Sequence, residues 1–173
     1  MATYEITYVR RMVSDAPPAC RIDNPGNAVD YFRENCFDPG EMWREKVFAL
    51  FVDREKVPLG HLLVGVGNET TVPVSNKLVA RAALDALAHG VILCHNHPSG
   101  NPMPGHDDIR ATDSLKKGLG CLDISLIDHI ILGDKGFFSF QDEIEHKYDR
   151  KKQPWRNSSS SKTAILSTSR ASR

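Results

Sequence analysis

A chain of 173 residues, 40% of them hydrophobic and 25% charged, is long enough to bury the core of one compact domain, and its composition excludes a largely disordered polymer. No window approaches the length of a membrane-spanning apolar run, and Met1 to Val13 carries charges where a signal peptide needs apolar residues, so neither a span nor a leader is expected and the location is expected to be cytoplasmic. The net charge of zero hides an asymmetry: residues 147–173 hold eight Lys or Arg against one Asp, a net of +7, which leaves the body at −7.

Thr3 to Val13 is rich in β-branched and aromatic residues and reads as a strand, followed by a Pro-containing linker over 14–21. Asn24 as a cap with Pro25 behind it predicts a helix to about Asn35. Lys46–Val52 and Pro58–Val66 are apolar runs joined by Asp53-Arg54-Glu55-Lys56, a β-hairpin with two largely buried strands. Asn76–His89 places Leu78, Val79, Ala82, Ala83 and Ala86 at helical spacing, with Gly90 where a helix commonly ends and Val91–Cys94 as a short buried strand. The Pro/Gly-rich stretch 98–107 is a loop, and helical spacing resumes from Asp107 to Leu119. Leu122–Leu132 reads as a strand and Gly136–Phe140 as a short final one. The expected fold is α/β, a single α-β-α sandwich around one mixed sheet. The expected organisation is an N-terminal strand and linker (1–23), a domain over 24–149, and a disordered, basic, Ser-rich tail over 150–173.

His95 and His97 follow the buried strand at a spacing of two, which in an extended chain points both imidazoles to one side and makes half of a zinc site. A catalytic zinc needs a third protein ligand and an open position for water. Asp108, eleven residues beyond His97 at a helix N-terminus, can supply the carboxylate once Pro98 and the loop have turned the chain back. Asp107 competes for that role, but neighbours on a helix point about 100° apart, so only one of the two can face the metal. A bare His-x-His is more often a pair of polar residues at a strand end. The longer string His95-Asn96-His97-Pro98-Ser99-Gly100, the proline-rich loop and then Asp108 is more specific.

That string, with Ile127-Asp128-His129-Ile130-Ile131 in the late strand, resembles the RadC-like branch of the JAB/MPN (JAMM) metalloprotease superfamily over roughly residues 25 to 142. The resemblance implies a cytidine-deaminase-like sandwich and one zinc ion per chain on His95, His97 and Asp108. It implies zinc-dependent hydrolysis of a peptide or isopeptide bond, with a peptide or protein as substrate. Two departures accompany it. The signature serine of the family falls on Gly105, for which Ser99 or His106 could substitute, and the glutamate expected on the upstream hairpin falls on Leu62 or Leu63. His61, Glu55 and Glu69 are the nearest titratable alternatives for a general base. The departures motivate a second reading, a non-catalytic or weakly active module that binds DNA or protein, with the basic tail as the DNA-associating element.

Other residues have plainer readings. Cys20, Cys36, Cys94 and Cys121 contain no Cys-x-x-Cys pair and are expected to be reduced, Cys94 as a core thiol. Asp128 and His129 are either core polar groups or hydrogen-bond partners that orient a ligand imidazole. Trp43 and Trp155 are isolated and suit packing or tail positions better than base stacking.

Overall fold

The computed structural model describes residues 21–67 and 74–147. The anticipated strand at 3–13 and tail at 150–173 lie outside the described residues. Among the described residues, three α-helices and six strands follow in the order α1 (Pro25–Asn35), β1 (Lys46–Val52), β2 (Pro58–Val66), α2 (Asn76–Asp85), β3 (Gly90–Asn96), α3 (His106–Gly120), β4 (Ser125–Leu132), β5 (Gly136–Ser139) and β6 (Ile144–Lys147), with a single 3-10 turn at Pro39–Glu41 before β1. The strands form one sheet in the order β2-β1-β3-β4-β5-β6, with β3 and β4 parallel and the other neighbours antiparallel. The mixed α-β-α sandwich expected from the sequence is the fold observed.

Strand alternation explains the layers. In β1, Phe48, Leu50 and Val52 point to the face covered by Ala28, Val29 and Phe32 of α1, while Val47, Ala49 and Phe51 point to the face covered by α2 and α3 through Val79, Ala83, Leu115 and Leu119. β1 and β3 are central and apolar on both faces, so they read as continuous hydrophobic runs. Each fully buried leucine in these layers contributes about 2 kcal/mol. Helix α1 begins as anticipated, with the Asn24 side chain accepting from the Asn27 N–H.

Several boundaries differ from expectation. β2 is a partly exposed edge strand, with Leu63 at 44% and Val66 at 45%, because it pairs only with β1. Gly90 does not end α2; the helix ends at Asp85 with Ala86 as its cap, and Leu87 takes a left-handed conformation (φ 53°). Gly90 instead opens β3, where a Cβ would lie 2.4 Å from the Ile127 side chain. β4 begins at Ser125 because Asp123 turns the chain with φ 56°. The closing strand β6, polar and four residues long, offered no apolar periodicity to read. Among the described residues, no helix is long and apolar enough to cross a membrane.

Candidate metal centre

Val91, Leu93 and His95 alternate onto the α2/α3 face of β3, so the strand that builds the core also carries the first imidazole to its upper end. His97 continues the direction of the strand, held by its N–H to the Leu132 carbonyl at 3.0 Å. The chain then turns at Gly100 (φ 78°) and is pinned to the β4–β5 turn by the Asp134 N–H on the Gly100 carbonyl, 3.0 Å. The approach is close enough that a Cβ on Gly133 would lie 2.4 Å from that same oxygen, so glycine is required there. This docking returns the chain to the start of α3 and brings Asp108 between the histidines. Asp108 Oδ1 lies 3.3 Å from His95 Nε2 and Oδ2 lies 3.5 Å from His97 Nε2. Asp107 points away to solvent and pairs with Arg110.

Ligand atoms of His95, His97 and Asp108 all lie within 4.8 Å of one another, a group able to hold a metal ion. The hydrogen-bond pattern shows that it fits one. His97 Nδ1 sits 2.8 Å from the Asn101 carbonyl, which can only accept, so Nδ1 carries the proton. The Thr112 hydroxyl lies 2.6 Å from the Asp108 carbonyl and donates to it; its oxygen, 2.6 Å from His129 Nδ1, therefore accepts from that ring. His129 Nε2 is then left to accept from His95 Nδ1, 2.8 Å away. Both ligand imidazoles are thereby held with Nε2 lone pairs facing inward, and those two nitrogens are 3.0 Å apart. Two lone pairs at that distance beside a carboxylate require a proton or a cation between them.

The electrostatics agree. Burial would raise the Asp108 carboxyl, but the Gly105 N–H and the imidazoles of His95 and His97, when a proton sits on Nε2, hold it well below the usual carboxylate range. The Asp108 carboxylate raises His97. His129, buried and stacked on Phe140 with ring centroids 4.9 Å apart, is pushed well down by desolvation and stays neutral, as the relay demands.

The candidate bases resolve differently. His61 lies on the opposite side of the sheet, hydrogen-bonded through Nδ1 to Tyr31 Oη at 2.9 Å and edge-on to Phe48. Glu55 sits in the β1–β2 turn, a full strand length, about 20 Å, from the site end of β1. Glu69 is outside the described residues. Leu62 packs in the α2/α3 core and Leu63 is exposed. The residue missed from the sequence is Glu45. Val47 pairs with His95 across β1 and β3, so one pleat earlier Glu45 comes opposite His97 on the same face. Its carboxyl is half-buried and raised by that burial, while the charges of His95, His97 and Asp108 act on it directly. What finds it is the antiparallel register between β1 and β3, which only the folded sheet supplies; in the sequence Glu45 stands in the charged run Arg44-Glu45-Lys46, which reads as a solvated strand entry.

Gly105 caps α3 with φ −83°. Its N–H, the one group it could offer an oxyanion, is already donated to Asp108 Oδ2 at 2.7 Å. Ser99 Oγ accepts from the Asn101 N–H within the loop, and His106 is exposed on the first turn of α3. Cys94 is a buried core thiol, raised by desolvation, and Trp43 is 64% exposed beneath the Arg44 guanidinium.

A mixed-sheet domain with His-x-His at a strand end and a returning Asp at the next helix start defines an α/β domain able to hold a metal. The chain belongs to the RadC-like JAB domain family, whose model matches residues 22–146. It is similar to a UPF0758 protein of Aquifex aeolicus, 36% identical over 122 residues that cover 70% of this chain and 51% of the relative. A UPF0758 protein of Thermotoga maritima is 38% identical over 125 residues, 72% of this chain and 54% of that one. A UPF0758 protein of Methanosarcina mazei is 37% identical over 103 residues, 60% and 45%. The chain spans about half the length of these curated relatives.

Proposed function

We propose that this chain is a zinc-dependent hydrolase of peptide or isopeptide bonds, with His95, His97 and Asp108 holding one zinc ion and Glu45 moving the proton. The observation that carries the reading is the pair of inward-facing Nε2 atoms, 3.0 Å apart, beside the Asp108 carboxylate. Two nitrogens and one carboxylate oxygen are a donor set suited to zinc. Bound there, zinc would polarise a carbonyl and acidify a water molecule. Glu45 would take a proton from the water that attacks the carbonyl carbon and return it to the leaving amine nitrogen as the C–N bond breaks. Burial raises Glu45, which makes its carboxylate a better base than an exposed one.

Glu45→Gln keeps the shape of the side chain and removes its basicity. In the zinc-loaded protein this substitution is expected to lower turnover about 1,000-fold with zinc stoichiometry unchanged. Asp108→Ala is expected to lose the zinc itself. Zinc analysis of both variants, together with a peptidase screen of the parent, tests the reading; full activity in Glu45→Gln would remove Glu45 from it, and no zinc in a reconstituted parent would end it.

Gly105 favours a second reading. Its N–H is committed to Asp108 and it has no side chain for an oxyanion, which suits a weakly active or non-catalytic module that binds DNA or protein. The net charge of +7 over residues 147–173 supports DNA as that partner. Removal of residues 150–173 would then weaken DNA binding and its salt dependence; unchanged binding would exclude this role for the tail.

A further inference from the structure

We infer that Asn96, the residue between the two histidines, positions Glu45 over the metal centre by holding both peptide groups that flank it. This deepens the hydrolase reading and rests on it in taking Glu45 as the proton carrier. Asn96 is completely buried at the end of β3. Its side chain points away from the metal-facing side, as alternation from His95 and His97 requires, and is used entirely on the segment entering β1. Oδ1 accepts from the Lys46 N–H at 2.9 Å, and Nδ2 donates to the Arg44 carbonyl at 2.8 Å and to the Met42 carbonyl at 2.9 Å.

The Arg44 carbonyl belongs to the peptide preceding the Glu45 Cα, and the Lys46 N–H belongs to the peptide following it. One carboxamide thus restrains the backbone on either side of a single residue. The Glu45 carbonyl is fixed separately, by the Gly67 N–H at 2.9 Å. Because Asn96 is bonded in sequence to both His95 and His97, any shift of the metal centre is transmitted to the backbone of Glu45 through two hydrogen bonds, with the third holding the preceding turn at Met42. Only a carboxamide can do this. It presents one acceptor and two donors in a plane, whereas an aspartate would turn a carboxylate oxygen on two carbonyls and a serine is too short to reach all three groups.

The test uses the full chain loaded with zinc, with Asn96→Ser and Asn96→Asp as variants and the ¹³C resonance of the Glu45 carboxyl as the readout. In the parent, zinc addition is expected to move that resonance. In the variants it is expected to respond weakly or not at all while one zinc per chain still binds. Turnover is expected to fall about 100-fold, the scale of a misplacement near 1 Å, with KM within about two-fold. A Glu45 resonance that responds to zinc in both variants as it does in the parent would overturn the inference. If neither variant folds, hydrogen exchange in the parent decides. Asn96 side-chain amide protons and a Lys46 N–H exchanging about 100-fold slower than free groups support the clamp, and exchange at the free rate overturns it. A zinc-loaded parent without turnover would instead refute the hydrolase reading, and the Glu45 resonance would still judge the clamp.

Discussion

His95 Nδ1 lies 2.8 Å from His129 Nε2, and this buried contact determines which nitrogen His95 turns toward Asp108 and His97. The order of protons runs from His95 to His129 to Thr112 to the Asp108 carbonyl, so the helix that supplies the carboxylate also sets the tautomer of the imidazole facing it.

Thr112→Val preserves shape but removes the hydroxyl that obliges His129 to protonate at Nδ1. Zinc affinity is expected to fall about 10-fold in this variant and about 100-fold in His129→Phe, where His95 Nδ1 loses its acceptor. Competition titration with a chelator measures both. Affinities equal to the parent would show that the relay does not orient His95.

Zinc binding is expected to strengthen with pH. The Asp108 carboxylate raises His97, so in the metal-free protein the protonated imidazole contributes stability that is present below the unfolded histidine value and is lost as pH rises through the raised one. Asp108 acts in the other sense; its contribution is present above the unfolded carboxyl value and is lost as pH falls through its depressed one. Zinc must displace the proton from His97. The zinc-induced rise in Tm should therefore grow between about pH 6 and pH 8, by differential scanning fluorimetry, and a constant rise would contradict it.

Asp128 is buried and pushed up to about 6 by desolvation, against hydrogen bonds from Ser139, the Gln141 N–H and the His129 N–H. The folded state therefore holds this proton more tightly than the unfolded chain. The associated stability is present below about pH 4 and is lost as pH rises through about 6, a change of about 3 kcal/mol. Asn fits the same network, since its oxygen can accept from the two N–H groups while its amide donates to Ser139 Oγ. Asp128→Asn should flatten the loss of stability between about pH 4 and pH 6 in urea unfolding; an unchanged slope would assign that loss to other groups.

Gly105→Ser supplies the hydroxyl that the sequence resemblance leads one to expect at this position. The backbone there is extended, and the new Cβ would stand 3.4 Å from Asp108 Oδ2, so the side chain fits with little adjustment. As an N-cap, serine should stabilise the chain by only about 0.3 kcal/mol over glycine. Turnover in the zinc-loaded variant should rise if the missing hydroxyl limits the site. A stabilised variant with no gain in turnover would favour the binding-module reading.

Period and composition made much of this molecule readable. The central strands carry continuous apolar runs because both faces are covered, α1 is announced by Asn24 and Pro25, and the loop after His97 is dictated by its prolines and glycines. The edge character of β2 and the role of Gly90 were not readable, because burial at those positions depends on which strand, or which Ile127, lies alongside. Within the candidate centre, His95, His97 and Asp108 are close in sequence, so local geometry was enough to suggest them together. Glu45, at the entry to β1, and His129, in β4, reach it from 50 and 34 residues away from His95, through the pairing of Val47 with His95 and of β3 with β4. Local spacing thus determined which side chains could serve as ligands, while register across the sheet decided what surrounds them, since a one-residue slip would turn Glu45 to the other face.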